Sequence, residues 1–359
     1  MHLEGTVLLG PTFDPVGGRV VVAGGEIVAI EECETDSDDL ILPAFVNAHT
    51  HIGDSIAKEA GAGLSLDELV APPDGLKHRL LRSASHEEKV AAMARTLRHM
   101  ESTGTSAFLE FREGGVAGVE ALRDALSGTG IGGTEGTDGA DDTDEESFGE
   151  RDIDAVVFGR EELDVLDVAD GYGASGARDA DFDRERNATR KAGKLFGIHA
   201  GERDALDVDA ALDLDPDFLV HMVHTEPHQL ERVADRETPI VVCPRSNLVT
   251  NVGVPPIREL DERTTVALGT DNAMLNSPSM FREMEFAAKL ADVSAETVLR
   301  MATVNGAEIA GLDRGVVEEG KEAKLLVLDG DSDNLAGARD PVRAVVRRAS
   351  HADVKRVVL

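Results

Sequence analysis

From residue 45 to residue 271 the chain repeats one pattern: a short apolar run of strand character, a turn, then a helical stretch. Such a run leads up to His49, and others occupy residues 105–111, 155–158, 195–199, 218–221, 239–243 and 265–271. Helical periodicity is clearest at 86–100, where Val90, Met93, Ala94 and Leu97 share a face, and at 279–290. Strands alternating with helices build a parallel sheet, either open or closed. Polar residues end many different strands here, which favours an α/β fold of the (β/α)8 TIM-like barrel kind, whose working groups gather at the C-terminal strand ends. About seven strands are legible against the eight a barrel needs.

The two ends of the chain read differently. Residues 6–9 and 18–30, the latter broken by a Gly24-Gly25 hairpin, look like strands, as do 324–329, 342–346 and 354–359. Residues 127–152 fit neither pattern. They are Gly/Thr-rich and then solidly acidic from Asp141 to Glu146, which predicts a solvated, mobile insertion. The ligand spacing of a calcium loop is absent from that run.

Charge narrows the partners. There are 69 Asp and Glu against 36 Lys and Arg, a net charge of -33. Nucleic acid is excluded as a partner, since its binding needs positive charge to displace counterions. Self-repulsion of this size is relieved by salt, and arginine outnumbers lysine, so a halophilic protein is expected. No apolar stretch is long enough to span a membrane, and the N-terminus carries no signal-like core. With only Cys33 and Cys243, a reducing, cytoplasmic setting is the expectation.

The strand ends carry the chemistry. His49-Thr50-His51 closes the first run, and side chains two apart on a strand share a face, so the two imidazoles lie side by side. His199, His221 and Asp271 close three other runs. Taken singly, His199 and His221 read equally well as hydrogen-bonded core residues; in company they suggest imidazoles and a carboxylate around a catalytic zinc or iron. Such an ion lowers the pKa of bound water to about 7. Glu202, three residues after His199, is placed to move protons without being a ligand. Glu110 and Arg112 end another strand and are candidate substrate contacts. The segment 54–75 is a candidate lid. His224 and His228 read as structural or lid residues, His78, His86 and His99 as solvated helix residues, and Cys243 as a buried strand end.

Taken together, His49-x-His51, His199-x-x-Glu202, His221, the stretch from Cys243 to Asn247 and Gly269-Thr270-Asp271 resemble the amidohydrolase superfamily. The nearest branch looks like the cytosine deaminase, chlorohydrolase and S-adenosylhomocysteine deaminase-like enzymes. The resemblance extends to the lead-in at 42–51 and to residues 318–325, which are similar to the family's return into a small β-sandwich domain formed from both termini. It implies a sandwich over 1–43 and 312–359 and a metal-dependent hydrolase barrel over 44–311.

The resemblance also implies one divalent metal, zinc preferred and iron compatible, held by His49, His51, His199 and Asp271. Asp271 would take a proton from the metal's water, His221 would hydrogen-bond the attacking hydroxide, and Glu202 would shuttle protons. Arg245 and Asn247 would shape the pocket. Binuclear relatives add a bridging lysine on the fourth strand, and residues 155–161, read as that strand, contain none. The implied reaction is hydrolytic deamination of an aminated heterocycle, of purine or nucleoside type, by a metal-bound hydroxide. Hydrolysis of a cyclic amide or chlorinated ring is the alternative, and a non-catalytic binding scaffold the second. The implied partner is a small-molecule substrate, with a homodimer compatible.

Overall fold

The computed structural model describes residues 1–128 and 151–359, so most of the acidic insertion expected at 127–152 lies outside the described residues. The described chain forms two sheets.

The larger sheet is the barrel. Its strands are Phe45–His51, Thr105–Arg112, Asp154–Gly159, Gly171–Ala174, Leu195–Ala200, Phe218–His221 and Ile240–Val242, then an eighth in two pieces, Val266–Leu268 and Asp271–Asn272. Neighbours pair in parallel, and the last piece returns to the first strand, with Asp271 opposite Thr50 and Asn272 opposite His51. The closure is clamped at the bend. Thr270 N donates to both His49 O and Asn47 Oδ1 at 3.0 Å, and Asn47 Nδ2 donates back to Thr270 Oγ1 at 2.8 Å.

The fourth strand is the one that sequence pattern missed, because Gly-Tyr-Gly-Ala has neither length nor β-branched residues. Its composition follows from the barrel interior. Phe111, Phe158 and Phe218 fill the centre with ring centroids 5.2 to 6.0 Å apart. A Cβ on Gly173 would lie 2.7 Å from the Phe111 ring, and one on Gly197 would lie 2.4 Å from that of Phe218. Small residues on two strands thus make room for large ones on others. It also follows that residues 155–159 belong to the third strand, with 160 and 161 just beyond its end; the fourth, Gly171–Ala174, likewise holds no lysine.

Gly269 has a similar reason. A Cβ there would sit 2.7 Å from His49 Cβ and 2.8 Å from His49 N, against backbone that cannot swing away. Gly269→Ala is therefore expected to cost about 1–3 kcal/mol of stability, the usual range for overpacking, read by urea denaturation. An unchanged midpoint would show that the bend tolerates a side chain.

The smaller sheet joins the two ends of the chain: His2–Leu9, Asp14–Ala23, Glu26–Glu32, Leu40–Pro43, Leu325–Leu328 and Val354–Val358. The hairpin turns at Gly24 and Gly25, both at positive φ. Residues 320–323 hydrogen-bond to the Glu26–Glu32 edge just before Leu325–Leu328 begins, so the sheet wraps toward itself. Alternation along its strands serves two cores. Val7, Ile41, Leu325 and Val327 pack within the wrapped sheet, whereas Leu8, Leu40, Leu42, Leu326 and Leu328 join the barrel's outer cluster with Phe45, Met280 and Val345.

One expected strand is a helix. Residues 342–346 lie in Pro341–Arg347, with Asp340 accepting the Arg343 N–H as N-cap and Pro341 in the first turn. Its valines suggested a strand, but the Asp-Pro start and burial of Val342, Val345 and Val346 at helical spacing prevail. It packs against helices Met280–Leu290 and Ala295–Met301 of the barrel.

Candidate metal centre

The residues singled out at the strand ends meet in space. His49 and His51 end the first barrel strand, His199 lies on the fifth, His221 ends the sixth and Asp271 follows the bend of the eighth. His49 Nε2 lies 3.2 Å from His199 Nε2 and 3.4 Å from Asp271 Oδ1, and His51 Nε2 lies 3.6 Å from the same oxygen. Four donors on a tetrahedron around an ion at 2.0–2.1 Å stand about 3.3 Å apart, so this spacing fits a metal. One ligand nitrogen or oxygen from each of His49, His51 and His199 lies within 4.8 Å of the others, and the same holds for Glu202, His221 and Asp271. Phe111 lies against this cluster, 4.7 Å from the His49 ring and 5.2 Å from that of His199.

Backbone strain marks the same place. His221 has φ 80° and Asp271 φ 55°, in the left-handed region that costs non-glycine residues free energy. Burial acts on the donors as it must for metal ligands. It lowers the pKa of His49 and His199, and brings His51 down to about 3, so all three rings are neutral at neutral pH. For Asp271 the opposing pulls of His49, His221 and His51 outweigh burial and hold it ionised, well below the usual carboxylate range. Neutral imidazoles and an ionised carboxylate are the forms that bind a divalent cation.

Three of the four donors are oriented from behind, whereas His49 Nδ1 is buried without a hydrogen-bond partner among the described residues. His199 Nδ1 faces Ala174 O at 2.8 Å, and Ser246 Oγ donates to Asp271 Oδ2 at 2.5 Å. His51 Nδ1 lies 2.9 Å from Glu113 Oε1. The Asn247 amide, as placed, donates to His221 Nδ1 at 3.1 Å, which leaves the ring proton on Nε2, 3.7 Å from Glu202 Oε2. Burial raises the Glu202 carboxyl above its ordinary range.

A cavity of about 60 Å³ lies over these groups, bordered by Glu202, His221, Asp271, Lys77 and the segment from Leu66 to Pro72 expected as a lid. It adjoins a larger cavity of about 490 Å³, with Pro72, Arg160 and Ser175 in the wall of both.

The four expected substrate contacts fall differently. Arg112 lines the larger cavity. Glu110, fully buried, instead accepts from Thr50 Oγ1 and Ile52 N. Arg245 pairs with Glu283 at 3.3 Å and donates to Ser277 O. Asn247 serves His221. Among the remaining histidines, His78 is buried against Val70 O at 3.1 Å rather than solvated, because its helix lies under the lid segment. His86 and His99 are paired with Asp124 and Ser277. Cys243 is fully buried, as expected. Lys77 and Glu113 were not foreseen; the charged run Glu110-Phe111-Arg112-Glu113 at a strand end was the available signal.

The Arg245–Glu283 pair yields a pH prediction. Burial pushes Glu283 up to about 7 against the pull of Arg245. An acid raised in the folded state favours folding while protonated, so its contribution is complete below about pH 4.3 and is lost as pH rises through 7. The Tm advantage of the native chain over Glu283→Gln should therefore shrink between about pH 5 and 8. A constant gap over that range would contradict the assignment.

Comparison with known proteins agrees with this geometry. The amidohydrolase family profile matches residues 40–359. The chain belongs to the amidohydrolase family. As an amidohydrolase it is a metal-dependent hydrolase, of a family acting on carbon–nitrogen bonds other than peptide bonds. It is 34% identical to a putative aminohydrolase of Methanothermobacter thermautotrophicus over 98% of this chain and 95% of that one. It is 28% identical to the 5-methylthioadenosine/S-adenosylhomocysteine deaminase of Halobacterium salinarum, over 100% of this chain and 90% of that one. A zinc-bound adenosine deaminase structure from Xanthomonas campestris shares the amidohydrolase fold with TM-score 0.77 and 21% identity, covering 100% of this chain and 91% of the other. No helix among the described residues is long and apolar enough to cross a membrane.

Proposed function

We propose that this amidohydrolase deaminates an aminated heterocycle of purine or nucleoside type, with one divalent ion, zinc preferred, held by His49, His51, His199 and Asp271. The observation that carries the reading is the convergence of these four donors beside Glu202 and His221. The kinship to 5-methylthioadenosine/S-adenosylhomocysteine deaminases supports the substrate class. So does the space: about 60 Å³ at the donors is small for a ligand, but the adjoining cavity of about 490 Å³ falls in the range of ligand pockets.

A bound ion supplies Lewis acidity and an activated water at neutral pH. The chain's own residues do the rest. Glu202, its carboxyl raised by burial, carries a proton to the ring nitrogen and then to the departing amine. His221, its proton on Nε2 through Asn247, donates to the oxygen that gains charge at the attacked carbon. Asp271, fixed by Ser246, accepts a proton from the attacking water. Screening amino-heterocycles for ammonia release by zinc-loaded protein, with metal content measured, tests the reading. Release of carboxylate or chloride without ammonia would favour the ring-opening or dechlorinating alternative. A metal-free, inert protein would favour a scaffold.

We further propose that the protein works in a salt-rich cytoplasm, on the strength of its net charge of -33. Tm should climb from dilute to about molar salt as screening relieves self-repulsion. A flat profile would count against halophily.

A further inference from the structure

Behind His51 lie six buried ionisable groups: Asp54, Glu110 and Glu113 against Lys77, Arg112 and Arg160. None of them takes part in the proton transfers above. Two of them compete for the same atom. His51 Nδ1 faces Glu113 Oε1 at 2.9 Å and Lys77 Nζ at 3.2 Å. These neighbours demand opposite tautomers. A carboxylate accepts, so it holds the ring with its proton on Nδ1 and Nε2 bare; an ammonium only donates, so it would put the proton on Nε2. Only the first form leaves a lone pair aimed at the cluster of His49 and Asp271.

The geometry points to Glu113 as the positioning residue that fixes His51 in the Nδ1–H form, with Lys77 and Arg160 serving Glu113 rather than the ring. Glu113 is the nearer partner, and its Oε1 also accepts from Lys77 at 2.7 Å and Arg160 at 2.8 Å. Lys77 has carboxylate partners without His51, pairing with Glu113 at 2.7 Å and with Asp54 Oδ2 at 3.1 Å. A proton on Nε2 would be poorly placed. Asp271 Oδ1, the acceptor it faces, is 3.6 Å away, beyond hydrogen-bonding range in a buried site. Glu113 thus presets the ligand before any ion arrives, and Lys77 and Arg160 hold its carboxylate in place.

This inference rests on His51 being a metal ligand, and its test is read apart from turnover. In metal-free protein labelled with ¹⁵N-histidine, two-bond proton–nitrogen correlation reports the His51 tautomer, assigned by comparison with His51→Gln. The Nδ1–H form is expected in the native chain and in Lys77→Met, and its loss in Glu113→Gln, whose amide can donate to Nδ1. Zinc affinity, measured by competition with a chromophoric chelator, should fall about 10- to 100-fold in Glu113→Gln and less in Lys77→Met. An Nε2–H ring in the native chain would overturn the proposal, and so would Lys77→Met weakening zinc more than Glu113→Gln. The native spectrum decides the matter even if Glu113→Gln does not fold. A native chain that binds no zinc would sink the metal reading, while the tautomer would still report on Glu113.

Discussion

Glu202→Gln is expected to keep its metal and fold yet lose about 10² to 10⁴ in kcat, the span that general acid–base catalysis contributes. Gln keeps the shape of the side chain but cannot carry a proton. Glu202 lies at the cavity, 3.7 Å from His221 Nε2, and burial raises its carboxyl above the ordinary value, which favours the proton-carrying form an acid needs. The measurement pairs elemental analysis with steady-state kinetics on the substrate that releases ammonia. Because the role belongs to the reaction and not to binding, kcat should fall far more than KM rises. Turnover within a few-fold of the native enzyme would remove Glu202 from the proton path.

Asp271→Ala should abolish zinc retention and, with it, turnover. Partners behind a metal ligand cost about 10- to 100-fold in affinity when lost, and a direct ligand should cost at least the upper end of that range. Asp271 is the only carboxylate within reach of both His49 Nε2 and His51 Nε2 among the described residues, at 3.4 and 3.6 Å. Its removal also leaves Ser246 Oγ without the acceptor it has at 2.5 Å. Zinc content after dialysis gives the answer, and stoichiometric zinc in the variant would show that the histidines suffice. Ser246→Ala, which spares the ligand itself, should weaken zinc by less.

How much of this could be read from the chain depended on what each residue answers to. His49, His51, His199, His221 and Asp271 were legible because each ends an apolar run, and a parallel barrel brings such ends to one mouth whatever lies between them. The strand Gly171–Ala174 was not, because its residues are chosen by Phe111 from a different strand, a demand with no local trace. The valines of Pro341–Arg347 misled for a related reason. Their partners are helices Met280–Leu290 and Ala295–Met301, and tertiary contact overrode strand propensity. Glu110, Arg245 and Asn247 were expected as substrate contacts, and the structure has them engaged instead with Thr50 and Ile52, with Glu283 and with His221. Whether such a residue faces the cavity or stands behind a ligand is a matter of side-chain direction, which spacing does not carry. Lys77 reaches His51 from a helix 26 positions downstream, and only the packing of the lid segment brings them together.

The bend at Gly269 and Thr270 has a consequence for the order of assembly. The His49–His51 pair is made early in synthesis, but its carboxylate partner arrives more than two hundred residues later, on the strand that Asn47 clasps to the first. A nascent or truncated chain ending before that clasp presents imidazoles without the aspartate that completes the set. On the ligand set proposed above, ion capture would be a late event, coupled to sealing of the barrel, and a half-made chain would be poorly equipped for it.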